Sequence, residues 1–260
     1  MLSSIKLLGV KITTASEEEI LEYIEKKLSE RSKTGTKNLP GDRQVVIFTP
    51  NPEQIVAAQF DNSLKSLLNS ADIALPDGVG VVVGARLLGL PIRRRIAGVD
   101  FMKSLTQHLQ KHDLSISKRP VVTGLIGSQE GVAVEAGKRL QKISPKMTIG
   151  YASDVYDREK MSASGVDILY VGLGFPKQEK WIESHKSEVP ATVLMAVGGS
   201  FDFLSERVVR APAFLRKIGL EWLFRLVRQP WRIFRQLRLA VFGALIFWTW
   251  LGNRLKSPEN

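Results

Sequence analysis

The chain has 260 residues, 44% hydrophobic and 24% charged, a balance that excludes a disordered or fibrous polymer and fits one large domain or a domain with an appendage. It contains no cysteine, which excludes a disulfide framework and thiolate metal sites and suits a reducing compartment. The net charge of +11 is concentrated in the tail: residues 207–260 hold 11 Lys or Arg against two acids, Glu221 and Glu259.

The opening stretch Met1–Val10 lacks a basic segment followed by a long apolar core. It does not read as a signal peptide, and the chain is expected to stay inside the cell. Ser16 ahead of Glu17, Glu18 and Glu19 has the form of a capped helix start, so a short βα unit is expected at the N-terminus. Residues 31–43 are polar, carry Gly35, Pro40 and Gly41 and lack an apolar period, which makes them a surface loop. From Val45 to Val197, short β-branched runs alternate with amphipathic stretches, the pattern of parallel βαβ units. Strands are expected at Val45–Phe48, Asp72–Leu75, Pro120–Leu125, Met147–Ala152, Asp167–Gly172 and Thr192–Val197, with helices over Glu53–Asn69, Val99–His112 and Gln129–Lys142. The expected fold is α/β, a Rossmann-like doubly wound and mostly parallel sheet over residues 1–206, followed by a basic helical appendage over residues 207–260.

In that appendage, Pro230 is expected to end one helix and open the next. Arg225, Arg228, Arg232, Arg235 and Arg238 recur at steps of three or four and would share a face if the two helices were collinear. The apolar run Leu239–Leu251 has 13 residues, too few to cross a bilayer, which takes about 20. With basic flanks and with Trp248 and Trp250 inside it, the run reads as a helix lying in the headgroup region of an anionic leaflet. The competing reading is a helix packed on its own domain or on a neighbouring subunit of a homo-oligomer.

Six segments carry candidate chemistry, five of them at the end of an expected strand, where open α/β sheets bind ligands. Thr49-Pro-Asn51-Pro-Glu53 places Thr49 and Asn51 at a stiff turn, although Asn51 also suits a helix cap. Pro76-Asp77-Gly-Val-Gly80 presents Asp77 beside glycines, as a general base for a sugar hydroxyl requires, but Asp-Gly is also a common turn pair. Arg93-Arg-Arg95 could hold a diphosphate or be a solvated basic loop. Thr123-Gly124-Leu-Ile-Gly127 ahead of a helix could receive a nucleotide. Gly172-Leu-Gly174-Phe-Pro-Lys-Gln178-Glu179 aims Gln178 and Glu179 at the same edge, and Gly198-Gly-Ser-Phe-Asp202 adds Asp202.

Absences prune the chemistry. There is no P-loop motif and no Gly-x-Gly-x-x-Gly, so a nucleotidase and a nicotinamide-dependent oxidoreductase are disfavoured. There is no Asp-x-Asp, and His108 and His112 are four apart without the zinc-motif Glu between them, so no bound metal and no cofactor are expected. A departing diphosphate would then rely on arginines and helix N-termini. A tail that binds nucleic acid is the non-enzymatic alternative; the long apolar run fits lipid better, so no nucleic-acid partner is expected.

Taken together, Thr49–Glu53, Ala71-Asp72 with Pro76–Gly80, Arg95–Asp100, Gly172–Trp181, Gly198–Asp202 and Arg210-Ala-Pro212 continuing to Gly219-Leu-Glu-Trp222 and Arg225 resemble the WecG/TagA/CpsF glycosyltransferases, also called glycosyltransferase family 26, from about Leu7 to Arg235. The resemblance implies an inverting, metal-independent transferase. It would move N-acetylmannosamine, or its uronic acid, from a UDP-sugar to a polyprenyl-diphosphate-linked N-acetylglucosamine in teichoic acid or cell-surface polysaccharide synthesis. Another hexosyltransferase, glucosyl or galactosyl, acting on a lipid-linked sugar is the alternative. By the same resemblance Asp77 is the base with Thr49 and Asn51 beside it, and Arg95 and Gln178 bind ligand. Arg210, Arg225 and Arg232 form a diphosphate clamp, and the appendage touches the cytoplasmic face of the plasma membrane. Gly124, Gly127, Gly172, Gly174 and Asp202 are the expected nucleotide side. Where many members have a glycine near Glu206, this chain departs from the pattern.

Overall fold

The computed structural model of the protein describes residues 2–34, 44–112, 115–116 and 119–256. Strands β1 (Ser4–Leu7) and β2 (Val10–Thr13) form an antiparallel hairpin where a single strand was expected. The reason is the two-residue turn, in which Leu8 and Gly9 both take positive φ (49° and 80°) and so match the twist of the flanking strands. Helix α1 (Glu17–Thr34) starts on a reciprocal cap: the Glu19 N–H donates to Ser16 Oγ at 3.1 Å and the Ser16 N–H donates to the Glu19 carboxylate at 2.6 Å. The expected loop at 31–43 therefore begins inside a helix, and residues 35–43 lie outside the described set.

The chain continues through β3 (Val45–Phe48), α2 (Pro52–Phe60), α3 (Asn62–Asn69), β4 (Ile73–Ala74), α4 (Val79–Leu87) and α5 (Gly98–Lys111). The short antiparallel pair β5 (Ser115–Ile116) and β6 (Arg119–Pro120) leads to β7 (Val122–Gly127), α6 (Val132–Ile143), β8 (Thr148–Ser153) and α7 (Arg158–Ser164). Then come β9 (Ile168–Gly172), α8 (Lys177–His185), β10 (Val193–Ala196) and α9 (Ser200–Leu204). Each of the six expected strands is present within a few residues. The single helix expected over Glu53–Asn69 is two, because Asp61 leaves the helical region (φ −143°). Its carboxylate caps the second helix, accepting from Ser63 N at 2.8 Å and Leu64 N at 3.1 Å.

These strands form one six-stranded sheet in the order β4-β3-β10-β9-β7-β8, with every neighbouring pair parallel. Both faces are covered, as an all-parallel sheet requires. Successive residues of β3 point to opposite sides, Val45 and Ile47 into a core built with α1, α5 and α6, and Val46 and Phe48 into a second core built with α2, α4 and α8. The sheet is mixed α/β in the Rossmann-like manner. Glu206, after α9, holds φ 62°, the left-handed conformation that glycine adopts most easily. The loop thus keeps a glycine-type shape without the glycine, and Glu206 pairs with Arg139 at 2.7 Å.

The tail comprises α10 (Ala213–Lys217), α11 (Glu221–Arg228), a 3-10 turn over Pro230–Arg232 and α12 (Ile233–Lys256). Pro230 opens the turn as expected, and Gln229 (φ −135°) breaks the helical path ahead of it. The apolar run lies on its own domain along one face of α12. Phe242 and Ile246 are each 3% exposed and enter a notch at Gly84, where an added Cβ would stand 3.0 Å from Ile246 and 3.1 Å from Phe242. The packed reading therefore holds for that face, while Val241, Phe247 and Trp248 on the others remain exposed. No helix among the described residues is long and apolar enough to cross a membrane.

Candidate active site

A cleft of about 750 Å³ opens at the carboxyl ends of β4, β3, β10 and β9, with the appendage as its far wall. It is the place where an open α/β sheet receives a ligand. Thr49 and Asn51 follow β3, Asp77 follows β4, Gly174 and Gln178 follow β9, and Gly198, Ser200 and Asp202 follow β10; all line the cleft. Arg95 comes from the loop before α5, Arg210 from the start of the tail, and Glu221, Trp222 and Arg225 from α11. Phe234, Arg238 and Leu239 of α12 complete the wall.

Backbone contacts fix Asp77. Its N–H donates to Pro50 O at 3.1 Å and Ile96 N–H donates to Pro76 O at 3.0 Å, so the β3, β4 and Arg95 loops form one cluster. Gly78 has φ 91°, which a side chain would resist, and this turn carries the Asp77 carboxylate into the cleft. The side chain is 30% accessible at the cleft floor, with Arg95 Nε at 3.6 Å from Oδ1. Burial pushes the Asp77 carboxyl above the ordinary carboxylate range. Arg95 opposes that shift and the negative charge of Glu221 reinforces it.

The arginines are held by acids. Arg95 Nη2 donates to Glu221 Oε2 at 2.8 Å, and Arg210 Nε lies 3.6 Å from Glu221 Oε1. Arg210 also makes a two-pronged pair with Asp100 at 2.6 and 2.7 Å. Burial alone would raise the Asp100 carboxyl, but the hydrogen bond and charge of Arg210, with Arg216 and Arg95, bring it below its ordinary value. Arg225 lies over the Phe203 ring at 4.6 Å.

Asn51 proves to be both a cleft residue and a cap, its Oδ1 accepting from Gln54 N at 3.1 Å. The two roles separate by substitution. Asp caps as well as Asn, so Asn51→Asp is expected to keep the Tm and to lower kcat/KM; unchanged kcat/KM would assign Asn51 to the cap alone.

Gln178 is 1% exposed and anchored, with its Oε1 accepting from Gly198 N at 2.9 Å and its amide donating to Glu179 Oε1 at 2.9 Å. Burial pushes the fully buried Glu179 carboxyl up to about 7, against the hydrogen bond from Gln178. The folded protein therefore keeps a proton that the unfolded chain loses near pH 4.5. Stability should fall as pH rises from there to about 7 and level off above it. Glu179→Gln is expected to remove that slope in urea melts across the window, and an unchanged slope would take the effect away from Glu179.

Other expected residues fall elsewhere. Arg93 and Arg94 face Glu19, Glu17 and Glu18 on the surface, so the solvated reading holds for them and Arg95 alone of the three reaches the cleft. Gly124, Gly127 and Gly172 are not in its wall. They sit where strands and loops pack too closely for a Cβ: at Gly124 it would stand 3.0 Å from Leu169 and Val166, and at Gly172 2.6 Å from Phe201. Arg232 lies in the 3-10 turn, and its side chain, like that of Arg235, is outside the described set. Among the described side chains of the arginine series, Arg225 and Arg238 line the cleft while Arg228 lies over the Phe224 ring. Asp202 accepts from Ser128 Oγ at 3.3 Å, the link from the Gly127 turn to the cleft.

Comparison with known proteins gives the family. Residues 5–257 match the model of the glycosyl transferase WecG/TagA/CpsF family. The chain belongs to that family. Its glycosyltransferases include an N-acetylglucosaminyldiphosphoundecaprenol N-acetyl-beta-D-mannosaminyltransferase of Bacillus spizizenii, 36% identical over 213 residues, 80% of each chain. A protein of the same name from Bacillus subtilis is 33% identical over 207 residues, 77% of this chain and 78% of that one. Another from Staphylococcus aureus is 28% identical over 246 residues, 92% and 91% of the two chains. The family resemblance drawn from the six motifs is thereby borne out, and the chain is a glycosyltransferase. Sequence reasoning gave no role to Glu221. The signal was present: it is one of two acids among the last 54 residues, inside the Gly219-Leu-Glu-Trp222 motif.

Proposed function

We infer that this glycosyltransferase moves N-acetylmannosamine from a UDP-sugar to N-acetylglucosamine on a polyprenyl diphosphate, with inversion and with Asp77 as general base. The observation that carries the reading is the placement of the Asp77 carboxylate on the cleft floor, 3.6 Å from Arg95, in a cleft that Arg210 and Arg225 also line. It joins the substrate that the relatives' names print. In the proposed step the acceptor hydroxyl attacks the donor's anomeric carbon from the side opposite the diphosphate. The carbon–oxygen bond to UDP breaks, UDP leaves with the electron pair, and the hydroxyl proton passes to Asp77. Arg95, Arg210 and Arg225 offset the charge growing on the diphosphate, and Thr49, Asn51 and Gln178 orient the sugars. The step uses no metal ion or cofactor.

Residues 1–206 act as the catalytic domain and residues 207–260 as an appendage that closes the cleft and rests on the anionic cytoplasmic face of the plasma membrane. Support comes from the tail's charge excess and from the exposed Trp222, Trp231, Phe234 and Trp248 on it. The test gives the purified chain a panel of UDP-sugars and a polyprenyl-diphosphate-N-acetylglucosamine analogue. A disaccharide lipid, detected by mass and formed fastest from the N-acetylmannosamine donor, is expected. No product from any donor would overturn the proposal.

A further inference from the structure

At the far end of α5 from the cleft, three side chains from two helices converge on one point. His108 Nε2 lies 2.7 Å from Glu25 Oε2, and His112 Nδ1 lies 2.9 Å from the same oxygen. The two imidazole rings are 4.2 Å apart and tilted by 37°. All three donor atoms fall within 4.8 Å of one another. His108 lies in the last turn of α5, His112 caps that helix four residues later, and Glu25 reaches across from α1. The carboxylate missing from the His-x-x-x-His sequence is thus supplied by a residue 83 positions earlier.

We propose that Glu25, His108 and His112 bind one zinc ion, or another late first-row divalent ion, that clips α1 to α5. Two imidazole nitrogens aimed at one carboxylate oxygen is a donor set of this class, and the nitrogens exclude magnesium and calcium, which take oxygen ligands. With bonds of about 2.0–2.2 Å to a tetrahedral ion, the ligand atoms would stand roughly 3.4 Å apart. The observed contacts of 2.7 and 2.9 Å need to open by roughly 0.7 and 0.5 Å, which is within reach of side chains 14%, 24% and 39% exposed.

The site is separate from the cleft and from the transferase reading. Three protein ligands leave a fourth position for water, and because they come from α1 and from the C-terminal end of α5, the ion ties these two elements together. One of those helices, α5, begins in the cleft wall at Gly98 and Val99. A clip at its other end fixes the helix that carries the Arg95 loop.

The test uses the full chain, stripped with chelator, dialysed and titrated with zinc chloride in a calorimeter, with the Tm followed in parallel and no assay of activity. One ion per chain is expected, with micromolar affinity, and a Tm rise of about 5 °C when free zinc exceeds the Kd a hundredfold. His112→Ala, at an exposed position that tolerates truncation, and Glu25→Gln should each weaken binding at least tenfold and remove the Tm rise. His185→Ala, the third histidine of the chain, should change neither, and magnesium chloride should give no shift. The proposal fails if the wild-type chain binds no stoichiometric zinc, if both variants bind and stabilise as it does, or if His185→Ala abolishes the binding.

Discussion

Asp77→Asn is expected to lower kcat by about a thousandfold while the donor Kd stays within about threefold of the wild type. Asparagine has the shape of aspartate, and Arg95 keeps its 2.8 Å partner in Glu221, so the cleft retains its walls. What is lost is the group that takes the acceptor's proton. Steady-state rates with lipid analogue, together with UDP binding by calorimetry, separate the two quantities; a kcat within tenfold of wild type would remove Asp77 from the role. The pH profile gives a second reading. Catalysis requires the carboxylate, so activity falls as pH drops through the Asp77 pKa, and burial places that limb above the ordinary carboxylate range. Glu221 pushes in the same upward direction, so Glu221→Gln should move the limb to lower pH. A limb that stays in place would show that the two groups do not communicate.

Gly127→Ala is expected to give the largest loss of stability, about 3 kcal/mol, or a Tm lower by roughly 10 °C. Two effects add at this residue. Its φ of 106° is a conformation that side chains resist, and a Cβ would stand 2.8 Å from the backbone carbon of Gly172. That neighbour is backbone on the adjacent strand and cannot rotate away. The variant should retain its circular dichroism at low temperature and melt early. A Tm within 2–3 °C of wild type, for a chain of this size less than about 1 kcal/mol, would mean the strand ends can separate.

The parts of this fold that were legible in the sequence are those written in local pattern. Apolar, β-branched runs mark the central strands β3, β9 and β10, because parallel strands buried on both faces are apolar throughout, whereas the edge strand β8 is only partly buried. Motifs at their ends locate the cleft for the same reason that Asp77 and Gln178 are there: turns at one sheet edge converge. The break at Asp61 escaped notice because the apolar spacing runs on through it and only the cap gives it away. Gly124, Gly127 and Gly172 look in sequence like a phosphate loop, yet their small size answers to neighbours such as Val166 and Phe201 that no local pattern names. The tail was harder still. Leu239–Leu251 has one composition but two environments, since Phe242 and Ile246 are covered by α4 while Trp248 is not. Glu221 depends on Arg95, 126 positions away along the chain, which periodicity cannot reveal.

Glu221 also determines what kind of anion the resting cleft admits. It bridges Arg95 and Arg210, and Asp100 occupies the other edge of Arg210, so the guanidinium groups are largely neutralised before anything enters. An arriving anion meets exchange instead of open attraction. Chloride or a single phosphate can replace one contact at a time and leaves a carboxylate stranded, whereas two phosphates joined in one molecule can satisfy both guanidinium groups together. On this arrangement a ligand's reach across the two guanidinium groups is expected to count for more than its charge.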